Sequence, residues 1–164
     1  MNDKPFRIVP LDTAHDRSVF NSGSEPLDRY FRQQVTQDVR RRVTTCFVAL
    51  STDGRMAGYY TLASASIVLG DLPAELIKKL PRYPSVPAVR MGRLAVDQTF
   101  QGHGLGGVLL ADAFLRVIGS EIAAYAMVVD AKDQKAADFY RYHGFLETTG
   151  TPLTLFLPLA TIQP

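Results

Sequence analysis

The sequence predicts one α/β domain with a mixed central sheet, and three observations carry that prediction. Two β runs flank an Asp53-Gly54 pair in "VTTCFVALSTDGRMAGYYTLASASIVL", the signature of a tight hairpin. Residues 88–130 read as strand, crossover helix and strand, the order of a right-handed βαβ unit. The chain has 164 residues, 46% of them hydrophobic and 21% charged, which suits one sizeable core.

Each element follows from local pattern. "PFRIVPL" alternates as a short strand. After the break at "NSGSEP", Leu27, Phe31, Val35 and Val39 recur every fourth residue, so one helix with an apolar face is expected. Arg29, Arg32 and Arg40 gather on its opposite side, with Arg41 and Arg42 directly behind and Asp38 the only acidic residue from 29 to 42. "LPAELIKKLP" predicts a short helix between prolines. "VPAVRMGRLAVD" predicts a strand in which Gly92 marks a bulge or a close approach. "LGGVLLADAFLRVIG" is apolar nearly all round, with Asp112 and Arg116 as its polar stripe, and is expected to be largely buried. "AAYAMVV" suits a strand covered on both faces. "KDQKAADFYRYH" predicts a short helix stopped by Gly144, and "FLETT" and "TLFLPLATI" supply final strands about Gly150 and Pro152. With no repeat, linker or low-complexity tract, residues 1–164 are expected to form a single domain.

Composition narrows the function classes. No run approaches the ~20 apolar residues of a membrane span, and "MNDKPFRIVP" lacks the apolar core of a signal peptide, so a cytoplasmic protein without membrane partners is expected. Cys46 is the sole cysteine, and His15, His103 and His143 are scattered, so neither a disulfide nor a structural metal is expected. A formal charge of +2 is too small to indicate a partner by itself.

The densest signal is "RLAVDQTFQGHGLGGVLL", where Gly102, Gly104, Gly106 and Gly107 crowd between a strand and a helix. Small residues there let an anion approach backbone N–H groups, and the helix dipole adds roughly half a positive charge. Gly102, Gly104 and Gly107 satisfy G-x-G-x-x-G, but a dinucleotide-binding unit is disfavoured. Its first glycine follows directly on the strand, whereas "DQTFQ" intervenes here, and too little chain follows Asp130 for a second half.

In the other phase, Gln101-x-x-Gly104-x-Gly106, the chain resembles the GCN5-related N-acetyltransferases (GNAT). That family carries an R/Q-x-x-G-x-G/A loop between a strand and a helix. Downstream, "DQKAADFYRYHGF" resembles its N-x-x-A-x-x-F-Y-x-x-x-G-F segment at Ala136, Phe139, Tyr140, Gly144 and Phe145. The resemblance implies a mostly antiparallel sheet flanked by helices, with a splayed pair of parallel strands, and acetyl-coenzyme A as co-substrate with no metal. It implies that Gln101, Gly102, His103, Gly104, Leu105, Gly106 and Gly107 bind the pyrophosphate through backbone amides. Leu94, Ala95 and Val96 would offer backbone groups to the pantetheine arm. Asp133, which replaces the family's Asn, and Phe139 complete the implied cofactor set. Tyr140 is implied as the general acid toward the departing thiolate; core packing is its alternative role.

Read together, "GYYTLASASI", "LPRYPSVPAVRMGRLAVD", "QGHGLGGVLLADA" and "VVDAKDQKAADFYRYHGF" resemble the acetyltransferase toxins of bacterial toxin–antitoxin pairs, across residues 58–145. Members acetylate the α-amine of aminoacyl-tRNA, blocking translation, and are restrained by a ribbon-helix-helix antitoxin. The resemblance implies such partners and a homodimer here. Arg29, Arg32, Arg40, Arg41 and Arg42 then either contact tRNA phosphates or form a solvated face. No Asp or Glu stands out as a base, and the amine of an aminoacyl ester is less basic than that of a free amino acid. Three functions stay open: this toxin-like enzyme, an acetyltransferase for a small amine or protein N-terminus, and a non-catalytic coenzyme A-binding module.

Overall fold

The computed structural model describes residues 6–161. Its strands are β1 (Phe6–Pro10), β2 (Thr45–Ser51), β3 (Met56–Val68), β4 (Ser85–Val96), β5 (Ala126–Asp130), β6 (Leu146–Glu147) and β7 (Thr154–Pro158). They hydrogen-bond in the order β1-β2-β3-β4-β5-β7-β6. The pairs β1–β2, β2–β3, β5–β7 and β6–β7 are antiparallel. By contrast, β4 and β5 run parallel from Ala88↔Ala126 to Met91↔Val129. The expected mixed, mostly antiparallel sheet is therefore present. Its parallel pair is the one joined by the crossover helix α4 (Leu105–Ile118), and β4 runs on to Val96 after the parallel register has closed.

The described residues form two compact units. The first is the described part of Met1–Ala63 with Gly92–Ala113, and the second is Ser64–Met91 with the described part of Phe114–Pro164. The core of the first unit is aromatic. Phe31 stacks on Tyr59 with centroids 4.1 Å apart, and Phe20 packs edge-on against both. Val35, Val48 and Ala95 fill in around them. The Arg93 guanidinium sits 3.4 Å from the Tyr30 ring centroid, while the Tyr30 hydroxyl donates to Asp38. In the second unit Ile67, Leu72, Val86, Ala88, Ala126, Val128 and Phe156 form the core, with Leu76 and Ile77 of α3 (Ala74–Ile77) packed against it.

Two expectations need correction. The single helix expected from the four-residue spacing is two helices, α1 (Glu25–Gln33) and α2 (Val35–Arg40). Gln34 breaks them with φ −126°, outside helical geometry. The apolar spacing survives the break because Phe31, before it, and Val35, after it, are both fully buried. The second correction concerns α4, which buries Leu105, Leu109, Leu110, Ala113 and Val117 but is less buried overall than its apolar sequence suggests. Asp112 is half-buried and accepts from the Tyr60 hydroxyl at 2.6 Å, so the polar stripe turns inward. Val108, Leu115 and Ile118 are exposed instead. A buried tyrosine hydroxyl needs a partner, and the carboxylate supplies it.

Candidate functional site

The loop expected to hold an anion, with the end of the strand before it and the opening of the helix after it, lies in the first unit. After β4 ends at Val96, a short 3₁₀ turn spans Gln98–Phe100 and α4 opens at Leu105. Gly102 and Gly104 lie between, with φ +83° and +81°, a conformation that side chains disfavour. A Cβ added to either would meet no heavy atom within 4 Å, so both face open space. The first amides of a helix have no acceptor inside it. Here the Val108 amide is the first to bond back, to Gly104 O at 3.2 Å, and among the described residues no protein acceptor takes the amides of Gly102 to Gly107.

Free N–H donors at the N-terminus of a long helix, approached across side-chain-free backbone, fit a diphosphate. Gln101, Gly102, His103 and Gly104 are exposed, and Gly106 and Gly107 are half-buried. Leu105 is buried, so its side chain belongs to the core and only its backbone faces the loop.

The loop is fastened from below. Asp97 is buried; its carboxylate accepts from the amide and hydroxyl of Thr99 and from the amide of Asn21. Burial alone would raise its pKa, but these donors outweigh burial and hold the carboxyl below its ordinary range. Of the expected pantetheine contacts, Leu94 and Val96 are half-buried and Ala95 is buried. The Val96 carbonyl is already taken, by the Gln101 carboxamide at 2.8 Å.

The second unit carries Asp133, Phe139 and Tyr140. Tyr140 and Phe139 lie on α5 (Gln134–Tyr142), whose N-cap is Asp133: its Oδ1 accepts from the Ala136 amide at 2.8 Å. The carboxylate that replaces the family's Asn thus has a structural task of its own. Tyr140 is buried, with Phe139 edge-on at 5.3 Å and Phe145 tilted at 5.3 Å. Burial pushes its phenol pKa well above the usual value, so it is fully protonated at neutral pH.

The predicted arginines are spread over two helices and the turn that follows them. Arg29 and Arg32 lie on α1, where Arg29 pairs with Glu25 at 3.5 Å and Arg32, half-buried, donates to the Phe20 carbonyl at 2.5 Å. Arg40 ends α2, and Arg40, Arg41 and Arg42 are exposed. Missed by sequence reasoning were Asn21, Ser22 and Asp28. Their only signal was the turn-forming string "NSGSEPLD", which gives no hint of what the turn supports. Among the described residues no group of three or more His, Cys, Asp or Glu side chains is placed to hold a metal ion, and no helix is long and apolar enough to cross a membrane.

A profile of the acetyltransferase (GNAT) domain matches residues 43–147. A tRNA-acetylating toxin of Mycobacterium tuberculosis is 36% identical over 149 residues, spanning 90% of this chain and 88% of its own. The structure of AtaT complexed with acetyl-methionyl-tRNAfMet matches with TM-score 0.89 at 28% identity, covering 96% of each chain. A tyrosine-to-phenylalanine mutant of AtaT, bound to the C-terminus of the antitoxin AtaR and acetyl-CoA, matches with TM-score 0.81 at 25% identity, also covering 96% of each chain.

Proposed function

Because the chain belongs to the GNAT acetyltransferase family, we propose that it transfers the acetyl group of acetyl-coenzyme A to the α-amine of aminoacyl-tRNA and so acts as a translation-blocking toxin. The observation that carries this is the run of amides from Gly102 to Gly107 without a protein acceptor, with open space at Gly102 and Gly104, which suits the diphosphate of that co-substrate. The substrate half is supported by the likeness to the mycobacterial toxin and to the tRNA-bound AtaT. The exposed Arg40, Arg41 and Arg42 suit an RNA backbone.

The bound thioester supplies an activated acetyl group. The chain's own residues supply the rest. The amides of Gly102 to Gly107 fix the diphosphate, and backbone groups of Leu94 and Ala95 serve the pantetheine arm. Tyr140 holds a proton at its hydroxyl for the departing thiolate, a role favoured by a phenol that stays protonated at neutral pH. The attacking amine must be neutral, which the lowered basicity of an aminoacyl ester provides without a protein base.

The chain is further proposed to act as a single acetyltransferase domain and as a cytoplasmic homodimer restrained by a ribbon-helix-helix antitoxin. The exposed Val108, Leu115 and Ile118 of α4 favour cover by another chain, and AtaT supplies the precedent of a bound antitoxin. Incubation with labelled acetyl-CoA and either charged or deacylated tRNA tests the proposal. Label should enter only the charged pool and leave with the aminoacyl group on mild alkaline hydrolysis. Label in a small amine or a protein N-terminus, with none in charged tRNA, would overturn the assignment.

A further inference from the structure

The glycine loop presents a physical problem. Two left-handed glycines, one on either side of His103, give a backbone that is free to take many shapes, yet an anion site needs its N–H groups already converged. Something other than the loop must hold it, and the segment that does so is residues 21–24.

Asn21 is bonded at both its backbone groups. Its amide donates to Asp97 Oδ2 at 2.9 Å, and its carbonyl accepts from the Gln98 amide at 2.8 Å. Gly23 lies so close to this stretch that an added Cβ would fall 2.8 Å from Gln98 Nε2. Ser22 then reaches the loop itself, because the Gln101 carboxamide nitrogen donates to Ser22 O at 2.9 Å as well as to Val96 O at 2.8 Å. Both N–H bonds of that amide are thereby used. Ser22 is in turn anchored to the body of the unit. Its amide and hydroxyl both donate to Asp28 Oδ1, at 2.9 and 2.7 Å, and Asp28 of α1 is only 3% exposed.

We propose that Gln101 is a positioning residue. Its side chain closes a clasp, built with Asn21, Ser22, Asp28 and Asp97, that fixes the 101–107 backbone in its anion-accepting shape. The side chain itself is not a ligand of the co-substrate. This deepens the reading of the loop as the diphosphate site and rests on it.

The test compares two acetyl donors. Acetyl-CoA carries the diphosphate; acetyl-pantetheine is the same thioester without it. Gln101→Met keeps the length of the side chain and removes both donors. Two lost hydrogen bonds should weaken acetyl-CoA binding roughly tenfold. KM for acetyl-CoA should rise accordingly with kcat nearly unchanged, while KM and kcat for acetyl-pantetheine stay as in the wild type. Gln101→Arg, whose guanidinium can donate to both carbonyls, should recover most of the loss. Ser22→Ala keeps the carbonyl but cuts the tie to Asp28, and should give a smaller loss of the same selective kind. The clasp is refuted if Gln101→Met leaves acetyl-CoA affinity intact, or if it and Ser22→Ala impair both donors equally. Gly104→Val separates the two claims: should it abolish acetyl-CoA binding while Gln101→Met has no effect, only the clasp fails. Should neither substitution alter binding, the loop is not the diphosphate site.

Discussion

The loop at residues 97–107 and the arginine-rich segment at 29–42 were the two most conspicuous features of the sequence, and they differ in where their chemistry resides. The loop offers backbone groups. Its glycines carry no side chain, Leu105 is buried, and Gln101 and Asp97 are spent on holding the chain in shape. The segment offers side chains, and part of its apparent charge is already committed: Arg32 is tied to Phe20 O and Arg29 to Glu25. A backbone site announces itself because it demands particular residues at particular positions. A side-chain surface does not, since an arginine that braces a helix and one that awaits a phosphate look alike in sequence.

Substitutions can break or sharpen that contrast, beginning with the largest expected effect. Tyr140→Phe keeps the ring between Phe139 and Phe145 but removes the proton donor, so kcat should fall by ~10²–10⁴-fold with acetyl-CoA affinity retained. Single-turnover kinetics check this, and a loss well under tenfold in the chemical step would make the tyrosine a packing residue. Gly104→Val forces a β-branched residue to φ +81° and fills the open approach, so acetyl-CoA affinity should drop on the order of 100-fold. Calorimetry measures it, with circular dichroism verifying the fold.

Smaller effects should separate the two kinds of arginine. Replacing Arg40, Arg41 and Arg42 together by alanine should flatten the log–log salt dependence of tRNA binding by about 0.7–0.9 per lost phosphate contact, without changing acetyl-CoA affinity. Arg32→Ala should do the reverse. Losing the bond to Phe20 O should cost stability of about 1 kcal/mol in urea titration and leave the salt slope nearly unaltered. The smallest expected effect is one of pH. Because burial raises the Tyr140 pKa, its acid form persists to higher pH than an ordinary phenol's, and kcat should show no loss from its deprotonation between about pH 7 and 9. A descending limb in that range, absent in Tyr140→Phe, would contradict the protonated assignment.

Much of the fold was legible because local chemistry and final structure agree. The Asp53-Gly54 turn joins β2 to β3, and the continuous apolar run of β5 lies parallel to β4. What escaped was decided by tertiary contact. Nothing in "RYFRQQVTQDVR" marks Gln34 as a break, because the apolar spacing is the same across it. Nor does an apolar helix reveal which way Asp112 points; the buried hydroxyl of Tyr60, far off in sequence, decides it. Among the candidate residues, the glycines stand out in the sequence itself, and Gly102 and Gly104 take the positive φ that their type allows. The clasp does not stand out, since Gln101 binds main-chain carbonyls of Ser22 and Val96, and a carbonyl acceptor leaves no residue signature.

The central claim, that backbone amides of this loop receive the co-substrate's diphosphate, is tested most directly by amide-resolved NMR titration with acetyl-CoA and, separately, with inorganic pyrophosphate. Both ligands should give their largest shared shift changes at the amides of Gly102 to Gly107, downfield as the N–H groups gain acceptors, with Gln101 and Asn21 moving little. Normal acetyl-CoA affinity with those amides unmoved, and the shared changes elsewhere, would contradict it.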